Sequence, residues 1–167
     1  MPKLDPQPVT THRSSRHRVL GDGPGPYGCQ LLSDPGGLTQ FGAFIEELPP
    51  GSASGWRHWH EREDEMVYVL SGALVLVEDE EVPMGPGDCA CWPAGQGIGH
   101  RLENRSAAPA RYLVIGTRSG ADIIHYSDHD LVTETHGAAR VYRRRDGSEL
   151  GRHDGELGGE QDGEEET

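Results

Sequence analysis

Short runs of alternating apolar and polar residues, separated by glycine, proline and acidic turns, run through most of the chain. Successive side chains of a β-strand point to opposite faces, so this two-residue period predicts strands rather than helices. The pattern contains no long amphipathic helix and no internal repeat. It therefore predicts an all-β chain, with strands at 28–32, 38–48, 56–60, 65–70, 73–78, 82–84, 88–92, 98–104 and 110–117 and an edge strand at 141–142.

The two ends of the chain depart from this pattern. Residues 1–17 are polar and contain prolines, which predicts a flexible arm, and residues 151–167 are rich in glycine and acidic residues, which predicts a disordered acidic tail. Between them, residues 18–150 are expected to form one domain with its core barrel at about 38–118. The 24 glycines and 12 prolines fit many short strands joined by turns.

The net charge restricts the partners. The chain of 167 residues has a formal net charge of -13, which disfavours binding to a nucleic-acid phosphate backbone. No stretch is apolar enough to predict a membrane span or a secretory signal. A cytoplasmic protein that binds a small molecule, with neither nucleic acid nor membrane as partner, is the resulting expectation.

The strongest chemical signal comes from four residues with metal-ligating side chains: His58, His60, Glu65 and His100. Strand alternation puts His58 and His60 on one face, and a hairpin through the acidic residues 61–64 is expected to bring Glu65 beside them. His100 must come from a more distant strand, which a closed barrel or sandwich arranges. Three neutral imidazoles and one carboxylate are a suitable donor set for one divalent transition metal.

Two motifs around these residues resemble those of the cupin superfamily. Residues 51–72 read GSASGWRHWHEREDEMVYVLSG and residues 87–104 read GDCACWPAGQGIGHRLEN. Each motif has a longer spacing before its histidines than the family pattern. The chain is similar to stand-alone, single-domain bacterial cupins, and this resemblance implies a double-stranded β-helix, or jelly roll, in which the four residues bind one metal.

Several further residues are candidates for the walls of a pocket around the metal: Tyr68, Cys89, Cys91, Trp92 and Asn104. Cys89 and Cys91 lie two residues apart on a predicted strand and share a face. They are interpreted either as small apolar fillers or as thiols inside the barrel near the metal, because the sequence does not phase this strand. Glu65 is interpreted either as a ligand or as a catalytic base.

A second group of metal-ligating side chains follows the barrel, at His125, Asp128, His129 and Asp130. His125 and His129 would share a face if the segment were helical, and a second metal site is then one interpretation. The favoured interpretation is a turn-like segment that packs against the barrel.

The donor set limits the chemistry without naming the reaction. The metal could be Fe, Mn, Ni, Zn or Cu, and an open coordination position would allow a metal-dependent enzyme, such as an oxygenase (including a dioxygenase), an isomerase or a lyase. The alternative is a non-catalytic cupin that binds or senses a small molecule, because no acid–base residue is recognisable beyond the ligands. A purely structural barrel is a third hypothesis. The resemblance also implies a homodimer, since jelly-roll edges often pair between subunits.

Overall fold

Every regular element in residues 3–5 and 7–154, the part of the chain that the computed structural model describes, is a β-strand. The strands are β1 Thr10–His12, β2 Arg16–His17, β3 Gly21–Asp22, β4 Tyr27–Leu31, β5 Phe41–Leu48, β6 His58–His60, β7 Glu65–Ser71, β8 Leu74–Val77, β9 Glu81–Met84, β10 Cys89–Trp92, β11 Arg101–Glu103, β12 Ala110–Thr117, β13 Ala121–Tyr126, β14 Leu131–His136, β15 Ala139–Arg143 and β16 Glu149–His153. Every predicted strand is present within a few residues of its expected ends, but the strand at 141–142 is not at an edge, because β15 lies between β14 and β16. A helix long and apolar enough to cross a membrane is absent from the described residues.

Two antiparallel sheets face each other. The first sheet has the strand order β1-β4-β5-β12-β7-β10. The second consists of a three-stranded part, β11-β8-β9, and a five-stranded part, β16-β15-β14-β13-β6. Isolated bridges between His58 and His100 and between Ala53 and Glu103 join these two parts edge to edge. The short β2-β3 hairpin lies outside both sheets.

The core lies between the two sheets. Val67 and Val69 of β7 and Leu74 and Leu76 of β8 alternate with exposed or half-buried residues, and all four belong to one buried apolar cluster. This cluster takes residues from both sheets, so burial of their inner faces holds them together. The predicted jelly roll is confirmed.

The predicted ends of the domain need correction. Residues 10–12 of the predicted flexible arm form β1, which pairs with the edge strand β4. Residues 151–153 of the predicted tail belong to β16, which pairs with β15. In both places an open sheet edge offers unpaired backbone groups that a neighbouring segment satisfies. The rest of the predicted tail, residues 155–167, lies outside the described residues.

Strands β13 and β14 were not predicted from the sequence. They extend the second sheet beyond the barrel, because β13 pairs with β6 on one side and with β14 on the other. The turn-like segment expected around Asp128, His129 and Asp130 is present, because residues 127–130 form a turn between β13 and β14. A small second core of Tyr126, Leu131 and Tyr142 covers the inner face of this extension.

Two glycines with nearly the same backbone conformation give a test of the packing between strands. Gly72 and Gly51 have φ angles of 83° and 82°. A Cβ at Gly72 would lie 2.6 Å from the Ala110 Cα, whereas a Cβ at Gly51 would have no atom within 4 Å. Both substitutions by alanine cost about 1 kcal/mol in backbone strain, and only Gly72→Ala adds about 2 kcal/mol from the clash.

We therefore expect Gly72→Ala to lower the free energy of unfolding by about 3 kcal/mol and Gly51→Ala by about 1 kcal/mol. Urea unfolding of the two variants beside the wild type measures both values. Equal losses in the two variants would contradict the close approach of β12 to Gly72.

Candidate metal centre

The four predicted ligands come from sheets that face each other across the barrel. His58 and His60 alternate on β6 of the second sheet, and Glu65 begins β7 of the first. One ligand atom of each of these three residues lies within 4.8 Å of the others. The predicted hairpin is wrong, because β6 pairs with β13 while β7 pairs with β10 and β12. Residues 61–64 instead cross between the sheets and bring Glu65 to the histidines from the opposite side.

His100 reaches the same place through its backbone. Its N–H donates to the His58 carbonyl at 3.0 Å and its carbonyl accepts from the His58 N–H at 3.3 Å. Its Nε2 lies 3.3 Å from Oε2 of Glu65, although His100 is outside the tighter group of three. The indole of Trp92 stacks on the His100 ring with the centroids 3.6 Å apart. The four side chains are therefore neighbours, and their role as ligands stays a prediction.

Backbone carbonyls orient two of the three imidazoles. His58 Nδ1 lies 2.7 Å from the Trp56 carbonyl, and His100 Nδ1 lies 3.2 Å from the Ile98 carbonyl. A carbonyl oxygen only accepts, so each Nδ1 must carry the proton. His100 Nε2 faces Oε2 of Glu65 and carries a proton there unless a cation lies between them. The lone pair of the neutral His58 ring is on Nε2. This is the tautomer that a metal-binding histidine needs when its other nitrogen is held by the protein.

A buried carboxylate orients the third imidazole. His60 Nδ1 lies 2.6 Å from Oδ2 of Asp122, which is only 3% exposed. The other oxygen of Asp122 accepts the backbone N–H of Arg62 at 2.8 Å, so both carboxylate oxygens have partners. Carboxylate–histidine pairs of this kind raise the basicity of a metal ligand and fix its ring. The sequence analysis missed Asp122, because β13 was not recognised as a strand beside β6.

The protonation states suit a cation. Burial lowers the pKa of His58 to about 4, so this ring is neutral at pH 7. Burial alone would raise the pKa of Glu65, but the hydrogen bond with His100 and the charges of the neighbouring histidines outweigh it and hold this pKa at about 2. A neutral imidazole and an ionised carboxylate are the forms that bind metals. The residues present therefore fit a divalent metal.

A cavity of about 480 Å³ opens beside these four residues inside the barrel. Its size is within the range of small-molecule sites. Apolar side chains from both sheets line part of it. Its ionisable lining is mainly acidic, with five carboxyl groups against two guanidinium groups: Asp34, Glu46, Glu63, Asp64, Glu65, Arg101 and Arg118.

Glu46 is the residue in this cavity that the sequence analysis missed. Its side chain is on the inner face of β5, it is 7% exposed, and it accepts a hydrogen bond from the Tyr112 hydroxyl. Burial raises the pKa of Glu46 to about 7; the Tyr112 hydrogen bond opposes this shift, and the charge of Glu65 adds to it. A signal was present, because adjacent Glu46 and Glu47 in an alternating strand cannot both face solvent.

Comparisons with known proteins agree with this geometry. The family model described as the cupin domain matches residues 44–116. The crystal structure of a sugar phosphate isomerase of the cupin superfamily from Silicibacter pomeroyi is 42% identical in sequence, covers 90% of this chain and 97% of that chain, and gives a TM-score of 0.80. The chain belongs to the cupin superfamily. The resemblance seen in the sequence motifs is thus confirmed.

Two further solved structures are similar to this cupin. A "putative sugar phosphate isomerase" from Acidithiobacillus ferrooxidans is 28% identical, covers 71% of this chain and 76% of that chain, and has a TM-score of 0.69. A predicted oxalate decarboxylase from Thermotoga maritima is 27% identical, covers 66% of this chain and 94% of that chain, and has a TM-score of 0.54. The comparison with curated proteins gives no match.

Three of the predicted pocket residues lie outside the pocket of this cupin. Cys89 and Cys91 are exposed on the outer face of β10, with their sulfur atoms 3.8 Å apart. Tyr68, opposite Cys89 on β7, is also exposed. The reason is the phase of β10, which turns Ala90 and Trp92 inward. The thiols are therefore neither core fillers nor part of the lining of the main cavity.

The other two predicted pocket residues have different roles. Trp92 lines the cavity, stacks on His100 and donates its indole N–H to Glu78 at 2.6 Å. Asn104 does not line the cavity. Its side-chain amide donates to the carbonyls of Leu48 and Ala108, at 2.7 and 2.8 Å, and thus fixes the connection between β11 and β12.

The candidate cluster after the barrel does not form a second centre. His125 stacks on Trp59 with the ring centroids 4.0 Å apart and lies 2.8 Å from Glu61, while the His129 ring packs edge-on against Trp56. Within the described residues, the side chains that could hold a metal ion form two groups, and both include His60. One is the group with His58 and Glu65, and the other is formed with Glu63 and Asp122. The favoured packing role therefore agrees with the structure.

The raised pKa of Glu46 has a consequence for stability. A carboxyl group with a folded pKa of about 7 and an ordinary value of 4.5 favours the folded state when protonated. This contribution is complete below about pH 4.5 and is lost as the pH rises to about 7, by about 1.4 kcal/mol for each pH unit. Glu46→Gln keeps the hydrogen bond and removes the titration.

We expect the free energy of unfolding of Glu46→Gln to rise relative to the wild type between pH 5 and about pH 7 and to run parallel above that. Urea unfolding of both proteins at a series of pH values measures the difference between their free energies of unfolding. The histidines are present in both proteins, so their contributions cancel in this difference. A difference that is independent of pH would show that Glu46 titrates normally.

Proposed function

We propose that this cupin is a metal-dependent isomerase that acts on a sugar phosphate. The two most similar structures described above carry that description, at 42% and 28% identity, in one case over 97% of that chain. Fold similarity alone does not determine a reaction, because one fold supports many chemistries. The proposal therefore depends on the chemistry of the residues in the barrel.

The observation that carries the proposal is a buried carboxyl group, Glu46, with a pKa of about 7 in the same cavity as the four predicted ligands. Interconversion of an aldose and a ketose moves one proton between adjacent carbon atoms and a second proton from the hydroxyl oxygen to the carbonyl oxygen. A base performs this step best when its pKa is near the working pH, because it must both accept and return the proton. Glu46 would take the proton from one carbon and deliver it to the next.

Tyr112 positions the base. Its hydroxyl donates to the Glu46 carboxylate, and burial raises the pKa of Tyr112 well above its usual value, so it stays protonated as a donor. One carboxylate oxygen is thereby held, and the other stays available for a substrate in the cavity. The neutral Tyr112 also avoids a second negative charge beside Glu46.

His58, His60, Glu65 and His100 would hold the metal. A bound divalent metal would act as a Lewis acid that polarises the carbonyl and hydroxyl oxygens of the sugar. Asp122 and the Trp56 carbonyl keep the rings of His60 and His58 in position. Fe, Mn, Ni, Zn and Cu all suit such a donor set, and the native metal stays open.

An isomerase explains Glu46 better than the other hypotheses do. An oxygenase or a non-catalytic binding cupin needs the histidines. Neither gives a role to the buried carboxyl group of Glu46, which does not belong to a group of residues that could hold a metal ion. Burying such a group costs stability, which proteins tolerate where catalysis requires it.

The predicted homodimer and the cytoplasmic location stay predictions.

The metal site is tested by elemental analysis of the untagged protein. We expect about one equivalent of a divalent transition metal, lost in a His58→Ala/His100→Ala variant. Cys89→Ser/Cys91→Ser is the matched control and should keep the metal, because these thiols lie on the outer face. No metal in the wild type after reconstitution with each candidate ion would overturn the proposed function.

The catalytic role of Glu46 is tested against its neighbour on β5. Glu46→Gln should lower kcat about 100-fold or more, since general-base catalysis contributes this order of magnitude. Glu47→Gln makes the same chemical change on the exposed face of the strand and should leave kcat near the wild-type value. Both variants should keep the metal.

The assay follows hydrogen exchange between heavy water and the carbon next to the carbonyl, by NMR, over a panel of triose to hexose phosphates. This exchange reports proton abstraction even when the full turnover is slow. Equal exchange in the two variants would show that Glu46 is not the base. No exchange with any sugar phosphate, even by the wild type, would favour the non-catalytic binding cupin instead.

A further inference from the structure

A second cavity, of about 260 Å³, lies next to the barrel under the N-terminal segment. Ser15, Arg16 and His17 cover one side of it. The other side is the inner face of the sheet extension, including Thr133 of β14 and Arg140 of β15. Nothing in the proposed chemistry at the metal centre uses these residues.

Three polar atoms of this lining are buried without a hydrogen-bond partner: His17 Nε2, Trp56 Nε1 and Thr133 Oγ1. The indole N–H of Trp56 can only donate. The backbone N–H groups of Val19 and Leu20 both donate to His17 Nδ1 at 3.1 Å, so the proton of the neutral ring is on Nε2, which is then also a donor.

Such a group of buried donors calls for an acceptor. Buried polar atoms in folded proteins are almost always satisfied, and an unsatisfied one points to a bound water, ion or ligand. His17 stays neutral at pH 7, because burial lowers its pKa to about 4. The Thr133 side chain is almost fully buried, with the residue only 3% exposed.

The charge of the second cavity is opposite to that of the first. Its lining contains Arg16 and Arg140 and no aspartate or glutamate. The main cavity holds five carboxyl groups and two arginines, so a phosphate dianion there would meet an unfavourable potential. Buried donors together with guanidinium groups are the usual means of holding a phosphate.

We propose that the second cavity binds the phosphate group of the substrate, while the sugar part extends toward the metal centre. This inference rests on the proposed function for the identity of the substrate. Ser54 and His58 line both cavities, so the phosphate site is adjacent to the candidate ligands. The affinity for phosphorylated sugars would then depend on four side chains that contact the phosphate, those of Arg140, Thr133, Trp56 and His17.

The first arm of the test titrates inorganic phosphate into the full-length protein, before and after reconstitution with metal, by calorimetry. Thr133→Val and Arg140→Gln should each weaken phosphate binding at least about tenfold, the usual effect of losing a hydrogen bond to a charged group. Thr133→Ser retains the hydroxyl and should bind nearly as the wild type does. Arg143→Gln removes the same charge from the opposite face of β15 and is the matched control.

The second arm compares a sugar phosphate from the isomerase panel with the same sugar without its phosphate. Thr133→Val and Arg140→Gln should raise KM for the phosphorylated sugar about tenfold, leave kcat nearly unchanged, and have no effect on the unphosphorylated sugar. A role limited to structure would affect both sugars alike. Thermal unfolding of each variant confirms that it is folded.

The outcomes separate the two proposals. No phosphate binding to the wild type, or equal binding by the cavity variants and Arg143→Gln, would overturn the phosphate site, even if the metal and the isomerase activity are present. Phosphate binding that depends on Thr133 and Arg140 in a protein without bound metal or activity would support the site and overturn the proposed function alone.

Discussion

Two backbone hydrogen bonds exchanged between His58 and His100 hold the candidate metal centre together. They join the two parts of the second sheet at the point where β6 meets the segment before β11. Because the bridge is formed by the main chain, it places the two imidazole rings with their centroids 5.6 Å apart before any metal is bound. The same two hydrogen bonds thus close the sheet and place two of the candidate ligands, and the rest of the centre is arranged around this bridge.

Each buried imidazole then has one nitrogen satisfied by the scaffold. The Trp56 and Ile98 carbonyls and the Asp122 carboxylate hold the Nδ1 atoms. The price of burying these rings is low, because each Nδ1 has an acceptor and each Nε2 faces the place where a cation would be held. Asp122 comes from β13, so the extension of the sheet contributes directly to the barrel site. The extra strands are therefore part of the function that we propose.

The sequence predicted the elements far better than the faces they present. Alternation located the barrel strands, but it left the phase of β10 undecided because both of its faces carry suitable residues. In β10, Cys89 and Cys91 alternate with Ala90 and Trp92, and only the packing of the large indole on His100 decides between them. In β5, Glu46 and Glu47 are chemically identical, and they differ because Glu46 faces the barrel interior beside Tyr112 whereas Glu47 faces outward beside Arg111.

Long-range pairing was the other part that the sequence could not supply. The spacing from His60 to Glu65 fits a hairpin as well as a crossing between facing sheets, and both bring the carboxylate to the histidines. For this reason the predicted donor set did not depend on the wrong local topology. Asp122 and the second cavity, in contrast, require knowing that β13 lies beside β6. Contacts of that kind depend on the whole fold and leave no local pattern.

The carboxyl groups of Glu46 and Glu65 act on each other, and this links the proposed base to the metal site. Part of the raised pKa of Glu46 is due to the negative charge of Glu65. A divalent cation held by Glu65 and the histidines would cancel that charge and lower the pKa of Glu46, while burial, the larger cause of the shift, would still hold this pKa above its ordinary value. The base would thus be most available when the Lewis acid is in place. Without the cation, Glu46 stays largely protonated below about pH 7, and the protonated form favours the folded state. One electrostatic interaction between β5 and β7 therefore connects stability, metal binding and proton transfer.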